Sequence, residues 1–120
     1  MRLLAALIIG LLAISPARAD DLFSRTELRC VIEYGGVWDF SVDPPVLARV
    51  PSKLVEYQNI DLDGMTANTS VGERLVAVRG TRSIVFAQED VTTAIFAQPS
   101  LRGFPIVISN LESQRAGFCN

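Results

Sequence analysis

The side chains of this 120-residue chain that could do chemistry are few, and one type is missing: there is no histidine. That absence removes the commonest general base near neutral pH and the usual activator of a serine or cysteine nucleophile. Cysteine occurs twice, at Cys30 and Cys119. With no histidine and no further thiol, a zinc-type centre would lack its nitrogen and sulfur ligands. Gly35-Gly36 has neither the spacing nor the following helix of a phosphate-binding loop. Carboxylate chemistry survives, as in glycosidases, but needs two facing Asp or Glu. Asp39, Asp61, Asp63, Glu89 and Asp90 are available, and each reads more simply as a turn or surface residue. The chain is expected to be no enzyme and to use no cofactor.

The nearest approach to a metal site is Asn59-Ile60-Asp61-Leu62-Asp63-Gly64. A calcium loop places oxygen ligands at alternate positions, glycine at the sixth and a bidentate Glu at the twelfth. Asn59, Asp61, Asp63 and Gly64 fit, but Ser70 stands at the twelfth place and the flanks read as strands. The preferred reading is a hairpin with Asp63-Gly64 as a type I′ turn and Asp61 solvated. A weak calcium site at Asn59, Asp61 and Asp63 is the alternative.

Contact chemistry has more material. The loop Leu101–Pro105 carries Arg102 and Phe104 between Pro99 and Pro105. Arginine and aromatics are enriched at binding hot spots, and a stiff loop lowers the ordering cost of binding. The competing reading folds Phe104 back as a plug over the end of a barrel. Arg74, Arg79 and Arg82 flank the Gly80 turn and read as a solvated hairpin end, Trp38 reads as core, and Asn68-Thr69-Ser70 matches a glycosylation sequon.

The elements that must position these residues are strands. Arg74–Gln98 contains three apolar runs, Leu75–Val78, Ile84–Ala87 and Val91–Ala97, rich in Val, Ile, Thr and Phe and separated by Gly80-Thr81 and Gln88-Glu89-Asp90. Such residues suit a pleated surface, and the runs have strand length, so they predict a three-stranded meander. Ile84–Gln88 and Ala94–Gln98 echo each other at ten-residue offset, the spacing of strand plus turn. Upstream, Leu28, Cys30, Ile32 and Tyr34 alternate with polar residues, and Trp38, Phe40 and Val42 do so after Gly35-Gly36, which predicts a hairpin there. Val46–Val50, bounded by prolines, predicts a short edge strand. Lys53–Leu62, with Leu54, Ile60 and Leu62 in phase, predicts a longer one, followed by Met65–Thr69. Ile106–Ile108 reads as a last strand, and Ser109 with Glu112 permits a short helix over Asn110–Ala116.

Met1-Arg2, the apolar run Leu3–Ile14 and Ala17-Arg18-Ala19 have the form of a cleaved export signal. The run is too short to span a bilayer comfortably. Its removal leaves a single domain over 20–120, with nine basic against thirteen acidic residues. That balance disfavours nucleic acid and anionic membrane surfaces as partners. In an oxidising compartment Cys30 and Cys119 read as one disulfide closing a loop of about 90 residues.

Together these features predict an all-β, single-domain antiparallel meander of seven or eight short strands, with a closed barrel favoured over a sandwich and one disulfide joining the ends. Its size, two cysteines and meander resemble small periplasmic lysozyme-inhibitor barrels, which implies an inhibitor-like role. The expected protein is monomeric, periplasmic or secreted, and free of the membrane after cleavage. It is a protein-binding module for an extracytoplasmic partner, with a carrier of a small apolar ligand as the alternative. N-terminal sequencing of the exported protein should begin at Asp20. A product retaining Met1 in the membrane fraction would overturn the export reading.

Overall fold

The computed structural model describes residues 19–49, 51–98 and 100–120. The export segment up to residue 18 lies outside the described residues. One helical turn, α1 (Ala19–Ser24), is followed by β1 (Leu28–Asp39), β2 (Val46–Arg49), β3 (Lys53–Asp61), β4 (Thr66–Thr69) and β5 (Arg74–Arg79). Then come β6 (Ser83–Gln88), β7 (Val91–Phe96), β8 (Phe104–Ser109) and β9 (Ser113–Cys119). Neighbours pair antiparallel in the order β2-β1-β3-β4-β5-β6-β7-β8-β9, and β1 also pairs with β9. Eight strands therefore close into a barrel and β2 lies outside the ring.

The core is set by strand parity, because alternate residues face opposite sides of the sheet. Leu28, Cys30 and Ile32 of β1 turn inward, as do Leu75 and Ala77 of β5, Ile84 and Phe86 of β6, Thr93 and Ile95 of β7, and Phe104 and Ile106 of β8. At one end α1 closes the barrel: Leu22 is fully buried in the cluster, and Phe23 packs against it with the Arg79 guanidinium 4.2 Å above its ring. Thr26 accepts a backbone bond from Ile60, which fixes the helical turn to β3.

Closure follows from β1 and β9. Cys30 lies directly opposite Cys119, and the two are bonded, with a sequence separation of 89. Cys119 in turn faces Phe104 on β8, and Cys30 faces Val55 on β3. A row across four strands thus carries the disulfide at its centre.

Several local expectations need correction. Gly35-Gly36 makes no turn: β1 runs through it as one strand of 12 residues. The β1–β9 register shifts between Ile32 and Tyr34, so a bulge falls at Glu33, just ahead of the paired glycines. Gly35 has φ of 141°, and a Cβ there would collide with the Gln114 carbonyl oxygen, while one on Gly36 would collide with that of Ala48. The pair is required for close strand approach. The tail is a ninth strand, not a helix. The Asn110 carboxamide accepts bonds from the backbone N–H groups of Glu112 and Ser113 and from the Ser113 hydroxyl, and holds a tight turn where the helix would begin.

Lys53–Asp61 is one strand, but Leu54 lies outside; inward positions are Val55 and Tyr57, and then Ile60. The positive φ of Asn59 (52°) marks the irregularity that switches the phase. In the turn after β3 the positive φ falls on Met65 (57°), not on Gly64, so a four-residue loop replaces the type I′ turn. Of the arginines expected around Gly80, Arg79 and Arg82 flank that turn, whereas Arg74 begins β5 at the opposite end.

Reduction, or Cys119→Ser, is expected to lower stability by about 4 kcal/mol on chain-entropy grounds and to release β9 first. Hydrogen exchange on residues 113–119, with and without reductant, measures this. Unchanged protection there would show that strand pairing alone closes the barrel.

Candidate functional site

Two features stand at the barrel end opposite α1. The first is an open mouth, a cavity of about 320 Å³ lined by inward-facing residues near the strand ends. Its floor is the Tyr57–Phe86 pair, ring centroids 4.6 Å apart, together with Thr93. Leu75, Val55, Ile32 and Ile108 form apolar walls, and Lys53, Gln88, Asn110 and Arg115 reach the rim. Burial pushes the Tyr57 phenol above its ordinary value, and a hydrogen bond with the Thr93 side chain offsets part of that shift. The phenol is therefore a neutral hydrogen-bonding group at the base of an apolar cup.

The second feature is an arm. Residues 28–32 of β1 pair with β3, and residues 36–39 pair with β2, in one continuous register. The strands β2 and β3 are thus a single ribbon edge interrupted around Pro51. Past Ile32 the ribbon leaves the barrel rim. Every residue of β2 is exposed. Trp38 pairs across the ribbon with Leu47, and its ring lies 6.5 Å from that of Phe40. Trp38 is 38% exposed and Phe40 65% exposed. Unbroken alternation from Ile32 would turn both inward, and the bulge is the reason they are not: β1 carries them beyond the last layer of the core. At the tip of the arm Asp39 accepts bonds from the Ser41 side chain and backbone, which hold its carboxyl below the usual range.

Arg102 lies at the foot of this surface. Its guanidinium contacts the Glu33 carboxylate, donates to the Tyr34 hydroxyl at 3.3 Å and stacks 4.6 Å from the Phe118 ring. Glu33 raises the pKa of Arg102 further, with Tyr34 contributing. Phe104 does not join it: the side chain is fully buried at the start of β8, which is the plug reading of that residue. Leu101 projects at the loop tip instead, 97% exposed.

The Asn59, Asp61 and Asp63 set spans the end of β3 and the loop after it. Asn59 lies within β3, Asp61 ends it and accepts from the Gly64 N–H at 3.0 Å, and Asp63 is in the loop. Among the described residues no group of three or more His, Cys, Asp or Glu could hold a metal ion. Asp61 is a turn-stabilising residue here.

Sequence reasoning missed the mouth cations and the arm. The signal for Lys53 was present, since it shares parity with Val55 and Tyr57. Arg115 shares parity with Gly117 and Cys119, but that strand was hidden by the helix reading. Comparisons of the chain with protein-family models and curated proteins, and of the fold with solved structures, give no match.

The Tyr57 shift has a definite sign. A phenol whose folded pKa is raised keeps its proton when the unfolded chain has lost it, so stability is full below about pH 10 and falls as pH rises above that. Alkaline unfolding followed by circular dichroism should show this fall, and Tyr57→Phe should flatten it. An identical decline in the variant would place the alkaline transition elsewhere.

Proposed function

We propose that the protein is an exported, non-catalytic binding module that acts by surface contact, with the outer face of β1 and its arm as the contact surface. The observation that carries this reading is the exposed column Tyr34, Trp38 and Phe40, extended across the ribbon by Leu47 and anchored at its foot by Arg102. Tyrosine, tryptophan and arginine dominate binding hot spots because they bury large area at low entropic cost. Arg102 is preorganised by Glu33, so a partner would not have to order it. The disulfide supports an oxidising, extracytoplasmic setting, periplasmic or secreted. With no histidine and no free cysteine, surface contact is better supplied with side chains than catalysis is.

A barrel inserted in a bilayer would carry apolar residues outside, polar ones inside and strands of roughly ten residues. Here the inner face is apolar and β5 to β8 have six residues each, which supports a water-soluble barrel. The cavity of about 320 Å³ favours a second reading, a carrier of a small apolar ligand.

Trp38 is the only tryptophan, so its emission reports directly on the arm. Extracytoplasmic proteins captured by the folded chain should be lost with Trp38→Ser/Phe40→Ser, and adding the captured partner should shift Trp38 emission to the blue. Equal capture by the double variant would remove the arm from the contact surface.

A further inference from the structure

The mouth of the barrel contains charge that the fold does not use. Lys53 and Arg115 are the only charged side chains among its described lining residues. Neither forms an ion pair among the described residues, where the salt bridges are Arg29–Glu56 and Arg102–Glu33. Both sit at inward positions: Lys53 continues the line of Val55 and Tyr57 on β3, and Arg115 that of Gly117 and Cys119 on β9. These two strands flank β1, with Lys53 opposite Ile32 and Arg115 opposite Gly35. The two cations therefore stand on one side of the mouth, either side of a single strand. Lys53 is also the only lysine of the chain.

The carboxylates nearby lie elsewhere on the rim. Glu73 is held by the Gln88 carboxamide at 2.8 Å, and Asp90 and Glu112 line a separate hollow with Asn110 and Leu111. The cup thus has a polarity: an apolar floor of Tyr57 and Phe86, and a positive side with no internal counter-charge. A purely apolar ligand would leave both cations without a partner. An anion without an apolar body would leave the floor uncovered.

We infer that the mouth binds a small amphipathic carboxylate, its apolar body on Tyr57, Phe86 and Leu75 and its head between Lys53 and Arg115. This deepens the carrier reading and rests on it. A cavity of about 320 Å³ suits a medium-chain fatty acid and not a diacyl lipid. Charge-assisted hydrogen bonds from Arg and Lys to a carboxylate are stronger than neutral ones, so the head supplies the selectivity. The ordinary structural use of such side chains is to cover apolar surface with their stems while the charge stays in water; that use predicts no preference for an anion.

Titration calorimetry with octanoate, octanol and octylammonium separates these cases. Octanoate should bind one to one, at least tenfold tighter than octanol, with octylammonium weakest. Lys53→Gln and Arg115→Gln should each weaken octanoate five- to tenfold and leave octanol unchanged. Methyl resonances of Ile32, Leu75 and Ile108 should shift on saturation, which locates the site independently of the variants. Octanol bound as tightly as octanoate overturns the anionic head while leaving the carrier reading intact. No binding by any of the three probes, or shifts confined to residues outside the mouth, overturns both.

Discussion

The pairing of β1 with β9 is the constraint on which the rest of the structure depends. Apart from β1 with β3, which enclose the short strand β2, every other pairing is between strands adjacent in sequence and forms from a local turn. This pair joins residues about 90 apart, and its loop-closure cost falls on the unfolded chain unless a covalent bond removes it. The Cys30–Cys119 bond lies within that pairing, between Phe104 on one side and Val55 on the other. Were the two strands to separate, each would become an open edge. The row of inward residues that ends at the floor of the mouth would lose one wall.

The same strand that closes the barrel also leaves it. β1 is paired on one edge with β9 almost throughout, and on the other first with β3 and then with β2. One extra residue at the bulge changes which side chains face inward. Before it, Ile32 faces the cup; after it, Tyr34, Trp38 and Phe40 face away. Mouth and arm are therefore parts of one continuous strand. Ile32 and Trp38 are six residues apart, about 20 Å along the strand. A ligand in the cup and a protein against the arm would be close enough for each to feel a displacement of β1.

Much of the architecture was legible because β5, β6 and β7 obey simple alternation between clear turns. Their boundaries, the short edge strand after Pro45, the closed barrel and the disulfide all follow from local chemistry and parity. The failures share one cause, which is that parity can be reset within a strand. Asn59 resets it in β3, so Leu54 and Ile60 are not on the same face. The bulge at Glu33 resets it in β1, and the glycines that follow, which read as a turn, continue the strand in regular pairing with β9. The ten-residue echo misleads for a related reason. The two-residue turn at Glu89-Asp90 pairs Ile84 with Ile95 and Phe86 with Thr93, so Phe86 is core while Phe96 is outside. In β9 the inward positions are Ser113, Arg115, Gly117 and Cys119, an almost wholly polar or small set. Hydrophobic periodicity could not reveal a strand whose larger apolar side chains, Ala116 and Phe118, face out.

The arm presents apolar side chains that take no part in the core. Outward residues such as Val31, Val76 and Val78 are also exposed, but on the wall of the barrel with the core behind them. Trp38, Phe40 and Leu47 differ because no core layer lies beneath them. β9 accompanies β1 only as far as Val37, with one further bond from the Trp38 N–H to the Glu112 carbonyl. Beyond that point the ribbon has two strands, a form that is marginal in water without a surface to pack on. Polar residues there would cost nothing in core packing and would protect an open edge from self-association. The chain instead places its only tryptophan, a phenylalanine and a leucine at this position. None of the three belongs to the core cluster or packs against it. Burial against another molecule is the physical circumstance in which that choice of side chains becomes favourable, because it removes their apolar area from water and gives the ribbon the missing layer.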